Sequence, residues 1–162
     1  LPRLRRYARA LTGDRHTADD LVQDTVERAL NKAALWRPGS RLDAWLTTLM
    51  HNIFVNQVRG SAGREQSTTD SLDTLTTEPS ARATQADDLE VNDVHAALRQ
   101  LSAEQREVLL LVTLEEYSYE ETARILDIPV GTVMSRLSRA RDRMRQLIDG
   151  GSMKNPPLKV VK

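Results

Sequence analysis

The sequence predicts an all-α protein in which a flexible acidic linker joins two small helical domains. Apolar residues recur at the three- and four-residue spacing of amphipathic helices in the first 60 residues and again after residue 87. Between these stretches the periodicity is lost, and Ser, Thr, Gly, Asp and Glu predominate. The predicted boundaries are 1–60 for the first domain, 61–86 for the linker, 87–149 for the second domain and 150–162 for a disordered tail.

Charge is segregated along a chain whose formal net charge is zero. Residues 1–64 hold 11 basic and 6 acidic side chains, residues 65–105 hold 2 and 9, and residues 106–162 hold 10 and 8. Two basic blocks separated by an acidic one suit two contacts with DNA joined by a segment that DNA repels. The alternative is an ordinary set of solvated charged faces.

The composition also bounds the cellular context. No apolar run is long enough to span a membrane, and no signal peptide is visible. Cysteine is absent, which excludes disulfides and Cys-ligated zinc and is compatible with a reducing cytoplasm. The chain opens at Leu1 inside a predicted helix, so we expect further residues upstream.

Three helices are predicted in the first domain. The first ends at Gly13, and the second begins with Thr17 as its N-cap. After a loop at residues 36–39, a capping box at residues 40–43 opens the third helix, which Gly60 stops. Because the connections are short, these helices are expected to pack as a small bundle.

Four helices are predicted in the second domain. The first begins near Asp87, and capping boxes at residues 102–105 and 118–121 open the second and third. The fourth runs from about Pro129 to Ile148. The linker before them holds about 26 residues, which span about 30 Å as a relaxed coil and about 85 Å when fully extended.

Residues 119–141 carry the most specific local pattern, because a short helix, a tight turn and a longer helix are typical of a helix-turn-helix. Ala123 is small where the two helices cross, and Pro129 suits a first helical turn. Asp127 stands where such turns usually have Gly, and Asp tolerates the left-handed conformation. Arginine on the outward side of the second helix suits guanine in the major groove. The alternative is a plain surface helix whose arginines serve solubility.

Three segments then resemble the extracytoplasmic-function sigma factors of bacteria. Residues 129–141 closely resemble the region-four helix that reads the −35 promoter element in that family. Residues 18–25 resemble the region-two helix that docks on the clamp helices of the polymerase β′ subunit. Residues 44–46, followed by His51, Asn52 and Asn56, are similar to the helix that reads and opens the −10 element. The resemblance covers nearly the whole chain except the linker and the tail.

This resemblance implies a promoter-specificity subunit that catalyses nothing and needs no metal or cofactor. The residues expected to contact the −35 element are Thr132, Met134, Ser135, Arg136, Ser138, Arg139, Arg141 and Arg143. Those expected at the −10 element are Trp36, Thr48, His51, Asn52, Asn56 and Arg59. Those expected to dock on polymerase are Asp19, Asp20, Leu21, Gln23 and Asp24, whose acids alternatively serve as helix caps and solvated charge.

The resemblance also implies the partners and several local roles. The partners are core RNA polymerase, through its β′ clamp helices and β flap, promoter DNA and an anti-sigma factor. No small-molecule substrate and no direct membrane insertion are expected, and the location is cytoplasmic. The loop at residues 35–41 matches the one that captures a flipped −10 base, and the acidic linker resembles the segment that threads toward the RNA exit channel. His51 and Met134 stand where the family often has basic residues, which bears on the promoter sequence.

Two other functions remain open, and several weaker signals are discounted. The chain could be a sigma-like decoy that sequesters an anti-sigma factor, or an ordinary helix-turn-helix regulator. His16, His51 and His95 are interpreted as isolated, which argues against a metal site. The neighbouring acids at 115–116 and 120–121 are interpreted as exposed caps and solvated charge rather than as acid catalysts.

Overall fold

A computed structural model of the chain describes residues 1–65 and 85–152. Seven α-helices and one 3-10 turn make up these residues: α1 (Pro2–Thr12), α2 (Arg15–Asn31), the turn (Ala33–Leu35), α3 (Leu42–Glu65), α4 (Gln85–Gln100), α5 (Ala103–Thr113), α6 (Tyr119–Leu126) and α7 (Val130–Ser152). No strand occurs in this part of the chain, and the all-α prediction is confirmed. The predicted linker and tail lie mostly outside the described residues.

The first three helices form the predicted bundle. Helix α1 buries Leu4, Tyr7 and Leu11 and leaves its arginines on the outside. It ends at Gly13, which has a φ of 74° and donates its N–H to the carbonyl of Arg9. Glycine adopts this left-handed conformation without the steric cost that a Cβ brings, so the chain can turn back into α2.

Two predicted helix starts are wrong, and in both cases a neighbouring side chain supplies a better partner. Helix α2 is capped by Asp14 rather than Thr17, because the Asp14 carboxylate accepts the N–H of Thr17 at 2.8 Å. This bond lowers the pKa of Asp14. At α3 the box at residues 40–43 does not form, because the carboxylate of Asp43 binds Arg41 at 2.7 Å instead. Both partners of this bond are charged, whereas a capping bond would have a neutral backbone N–H as its donor.

Two predicted helix ends are also wrong. Helix α3 continues past Gly60 to Glu65, and α7 continues past Gly150 to Ser152. A glycine inside a helix costs only about 1 kcal/mol relative to alanine, and it ends a helix mainly where the chain must turn. Unlike Gly13, neither residue is in the left-handed conformation.

The last four helices form a second unit around α5. Its start at Ser102 is confirmed, since the hydroxyl accepts the N–H of Gln105. The box at residues 118–121 forms in both directions, whereas at residues 102–105 only the bond to the Ser102 hydroxyl is found. Helix α7 packs on α5 and α6 through Val133 and Leu137, which are fully buried.

The two units pack directly on each other, with α1 against α4 and α5 and with α3 against α6. Arg106 of α5 lies in this interface. Its guanidinium donates to the carbonyl of Leu11 at the end of α1 at 2.8 Å. It also donates to three carbonyls at the end of α4, those of Leu98, Arg99 and Leu101, at 2.7–3.1 Å. Burial lowers the pKa of Arg106, and the nearby charge of Arg99 lowers it further. One side chain thus ties the end of a first-unit helix to the end of a second-unit helix.

We expect Arg106→Met to lower the free energy of unfolding by about 2–4 kcal/mol, because several partly buried carbonyls lose a charged donor. Urea denaturation followed by circular dichroism measures this loss. Arg124→Met changes an exposed arginine on α6 and is the matched control, with an expected change within about 0.5 kcal/mol. Equal effects of the two substitutions would contradict the role of Arg106.

Candidate nucleic-acid interface

The helix-turn-helix has the geometry that the sequence predicts. Helix α6 is followed by its C-cap residue Asp127, which is left-handed with φ 53° and ψ 51°. The next N–H, of Ile128, donates to the carbonyl of Ala123 at 3.1 Å, and the small Ala123 side chain is buried. The turn therefore closes as a helix C-cap does, and it fixes where α7 begins.

Helix α7 divides its predicted −35 residues between two surfaces. Arg139 and Arg143 are exposed, and Arg136 beside them is 25% exposed. Met134, Ser138 and Arg141 instead line a small pocket with Tyr119 of α6. Thr132 and Ser135 are half-buried near the start of the helix, where the Ser135 hydroxyl donates to the carbonyl of Thr132.

Four of the six predicted −10 residues share one polar cavity of about 530 Å³. They are His51, Asn52, Asn56 and Arg59, all on α3. The remaining wall comes from α5, from the turn of the helix-turn-helix and from Arg136 of α7. The cavity therefore gathers residues that are predicted to read two different promoter elements.

The other two predicted −10 residues lie elsewhere. Thr48 donates its hydroxyl to the carbonyl of Ala44 at 2.8 Å, within its own helix. Trp36 follows the 3-10 turn, and its indole Nε1 is buried with no hydrogen-bond partner among residues 1–65 and 85–152. A buried indole N–H without a partner is unusual, because tryptophan normally satisfies this donor.

His51 is paired, contrary to its interpretation as an isolated histidine. Its Nδ1 lies 2.5 Å from Oε1 of Glu107 on α5, and the two side chains are 14% and 5% exposed. Burial raises the pKa of Glu107, while the bond to His51 and the charge of Arg136 partly offset that rise. Glu104, one turn earlier on α5, lies 3.6 Å from the guanidinium of Arg136. Sequence reasoning missed both glutamates because no local pattern marks them.

The predicted polymerase-docking residues form an exposed acidic surface on α2. Asp19, Asp20, Gln23 and Asp24 are exposed, whereas Leu21 is completely buried in the core. The four exposed polar residues are thus available for contact with another protein, whereas Leu21 is not.

The prediction that the acids at 115–116 and 120–121 are exposed caps and solvated charge is partly wrong. Glu115 is only 7% exposed and pairs with Arg3 at 3.2 Å and with Arg6 at 3.9 Å across the interface between the units. Glu121 does cap α6, and it also pairs with Arg41 at 2.5 Å. These acids therefore connect the two units in addition to any local capping.

The described residues also bear on metal binding and on membrane insertion. Within the ranges that the structure covers, no three His, Cys, Asp or Glu side chains come close enough together to hold a metal ion. No helix in those ranges is both long and apolar enough to cross a membrane.

Comparison with known proteins finds similarity along nearly the whole chain. The family model "Sigma-70, region 4" matches residues 92–144, and that of the Sigma2 domain of PhyR, an anti-anti-sigma factor, matches residues 1–51. The ECF RNA polymerase sigma factor EcfG of Rhodopseudomonas palustris is 40% identical over 150 residues, which cover 91% of this chain and 80% of that protein.

Two solved structures are similar in fold and sequence. The sigma factor RpoE of Bartonella quintana, in complex with the anti-sigma factor NepR, has a TM-score of 0.77 at 36% identity, with 91% of each chain covered. CnrH, in complex with the cytosolic domain of CnrY, has a TM-score of 0.65 at 26% identity, with 91% of this chain and 81% of that chain covered.

The turn of the helix-turn-helix gives a stability prediction. We expect Asp127→Gly to raise the free energy of unfolding by about 0.5 kcal/mol, because glycine avoids the left-handed penalty. Asp127→Val should lower it by about 1–2 kcal/mol, since a β-branched residue tolerates that conformation poorly. Urea denaturation compares both with Asp127→Asn, which should stay within about 0.5 kcal/mol of the parent. A loss of stability in the glycine variant would contradict this account of the turn.

Proposed function

The chain belongs to the extracytoplasmic-function sigma factors of RNA polymerase, and we propose that α3 reads and opens the −10 element while α7 reads the −35 element. The observation that carries this proposal is the placement of the two sets of polar residues on helices of two separate units. Residues 1–60 are proposed as the region-two domain and residues 87–149 as the region-four domain, with 61–86 as the linker and 150–162 as a tail. Like other sigma factors, the protein would act by binding and not by catalysis.

The −35 contact is proposed for the side of α7 that carries Arg136, Arg139 and Arg143. Arginine binds guanine bidentately through its O6 and N7 atoms in the major groove, and it also pairs with phosphates. Since Arg139 and Arg143 are exposed, both are free of the core and available to DNA. Arg141 lines a groove on another side of α7, so its proposed contribution is to the backbone rather than to bases.

The −10 contact is proposed for Asn52 and Asn56, which are exposed one helical turn apart on α3. Their amides can donate to and accept from the base edges of a separated strand. The loop at residues 35–41, which leads into α3, would hold a flipped base. Unstacking a base costs a few kcal/mol, which stacking and a snug pocket recover.

Docking on core polymerase is proposed for Asp19, Asp20, Gln23 and Asp24. Their exposed positions on one helix suit pairing with cationic groups of the β′ clamp helices. Leu21 contributes by holding α2 in the bundle, because it is buried. The β flap is the proposed partner of the region-four domain.

Control by an anti-sigma factor is proposed from a groove that both units line. The groove measures about 920 Å³ and lies between α1 on one side and α4, α5 and α7 on the other. Its floor is apolar, with Leu98 and Leu109, and its rim carries five arginines. Those arginines are Arg5, Arg6, Arg9, Arg141 and Arg145. An amphipathic helix with acidic flanks fits this chemistry, and its seating would hold the two units together. Of the similar structures, RpoE is bound to the anti-sigma factor NepR, and CnrH is bound to the cytosolic domain of CnrY.

A second candidate function is a decoy for an anti-sigma factor. It is favoured by the match of residues 1–51 to the Sigma2 domain of PhyR. Against it stand the 40% identity to EcfG and the presence of Asn52, Asn56, Arg136 and Arg139. A decoy has no need of residues that read DNA.

Run-off transcription with purified core polymerase over a promoter library tests the proposed function. We expect selective initiation that falls about tenfold in Arg139→Ala, because a bidentate arginine–guanine contact is worth about 1–3 kcal/mol. Asn52→Ala should reduce promoter opening in the same assay. Arg15→Ala removes an exposed arginine of α2 that belongs to none of the predicted sites and should leave the yield unchanged.

Two outcomes would contradict the proposal. A chain that binds core polymerase or an anti-sigma factor yet never starts a transcript would be a decoy. A chain that does not bind core polymerase would exclude the sigma function itself.

A further inference from the structure

The loop that leads into α3 contains a tight turn that fixes its path. The N–H of Ser40 donates to the carbonyl of Arg37 at 3.1 Å and closes a β-turn. Pro38 and Gly39 occupy the two central positions, and Gly39 has a φ of 90°. Proline followed by a residue of positive φ is typical of a type II turn. The last residue of the loop, Arg41, therefore follows a defined stretch of backbone.

Asp43 fixes the side chain of Arg41. The carbonyl of Arg41 accepts the N–H of Trp45, so its backbone is anchored on α3. Its guanidinium donates from Nε to Oδ1 of Asp43 at 3.3 Å and from Nη2 to Oδ2 at 2.7 Å. These two bonds together set the plane of the guanidinium. Hydrogen bonding within the pair lowers the pKa of Asp43 and raises that of Arg41, so both groups are charged at neutral pH.

The remaining guanidinium nitrogen of Arg41, Nη1, binds a different anion. It lies 2.5 Å from Oε1 of Glu121, while Nε and Nη2 stay on Asp43. Arginine binds carboxylate and phosphate oxygens with the same geometry. Glu121 belongs to the second unit, whereas Asp43 belongs to the first. Separation of the units would therefore free Nη1 and leave the pair with Asp43 in place.

We propose that Arg41 is a further promoter contact, which binds a backbone phosphate of the −10 strand through Nη1 and is positioned for it by Asp43. This inference rests on the proposed function. The phosphate would adjoin the base that the loop at residues 35–41 is proposed to hold, because Arg41 ends that loop. A phosphate contact carries no sequence information, but it fixes the register of the strand on the protein.

The pair of Arg41 and Asp43 contributes orientation rather than stability of the fold. The two side chains are 54% and 39% exposed, and ion pairs so exposed add little to the free energy of unfolding. An acid beside a DNA contact also repels phosphate. Repulsion therefore predicts that removing the Asp43 charge strengthens DNA binding, whereas positioning predicts that it weakens DNA binding.

The phosphate contact can be tested with the complex of the chain and core polymerase. The DNA is a promoter selected from the library, with its −10 strands already unpaired and with a neutral methylphosphonate in place of each −10 phosphate in turn. We expect one position at which this change weakens binding about tenfold in the parent and at most about twofold in Arg41→Met. Arg15→Met makes the same substitution at an exposed position of α2 and should keep the tenfold loss.

The salt dependence of binding is a second readout, which a merely structural role of Arg41 would not change. Loss of one phosphate contact on a single strand should reduce the slope of log K against the logarithm of salt concentration by about 0.7. We expect this reduction in Arg41→Met on unmodified DNA and not in Arg15→Met. Arg41→Gln replaces Arg41→Met if the latter lacks the helical circular dichroism of the parent.

Asp43→Asn tests the positioning role. We expect it to weaken binding about threefold, although it removes a negative charge near DNA, because the guanidinium of Arg41 loses its orientation. Asp43→Glu keeps the carboxylate and should restore most of the affinity. Stronger binding by Asp43→Asn would overturn the role given to Asp43.

The inference and the proposed function can fail separately. Equal losses in the parent and in Arg41→Met at every phosphate position, in a complex that initiates transcription, would overturn the inference alone. A chain that starts no transcript on any promoter would overturn both.

Discussion

Burial of helix α5 on several sides is the constraint on which the rest of the structure depends. Residues 107–111 are five consecutive buried positions, which a helix shows only when partners cover it nearly all round. Helices α6 and α7 cover part of α5, and α1 of the first unit covers another part. Because α5 brings Arg106 and Glu107 into that interface, each must find a partner there. The ends of α1 and α4 supply the partners of Arg106, and His51 supplies that of Glu107.

The interface that buries α5 also forms the two surfaces proposed to bind DNA and an anti-sigma factor. One interface forms the polar cavity on one side and the arginine-rimmed groove on another, and both take walls from the two units. Separation of the units would abolish the groove and free the cavity at the same time. A partner that binds the groove and DNA that binds the reading helices would therefore exclude each other through a single equilibrium, without any path of coupling through the core.

The sequence was sufficient to predict the structure wherever the contacts that determine it join residues close together in the chain. The capping box of Ser118 and Glu121, the left-handed turn at Asp127 and the buried side of α7 all follow from residues a few positions apart. Local rules failed where a more distant or stronger partner competed. The Asp43 carboxylate binds Arg41 instead of capping α3. Gly60 lies inside α3, where the chain does not turn. Those cases show that local patterns rank the options but do not decide between them.

The contacts between the units could not be predicted, because they join residues that are far apart in sequence. His51 and Glu107 are 56 residues apart, and Arg3 and Glu115 are 112 apart. Each of these side chains is unremarkable in its own segment. The assignment of Glu115 to solvated charge failed for this reason, as did the interpretation of His51 as isolated.

The separation of the two units on core polymerase is the most direct test of the whole account. Electron-spin distance measurement between labels at Asn31→Cys on α2 and Arg124→Cys on α6 can follow it in the free chain and in the polymerase complex. The account predicts one short distance in the free chain, replaced by a longer one in a complex that initiates transcription. An unchanged short distance in an initiating complex would contradict it, because a closed chain cannot reach two elements about 85 Å apart.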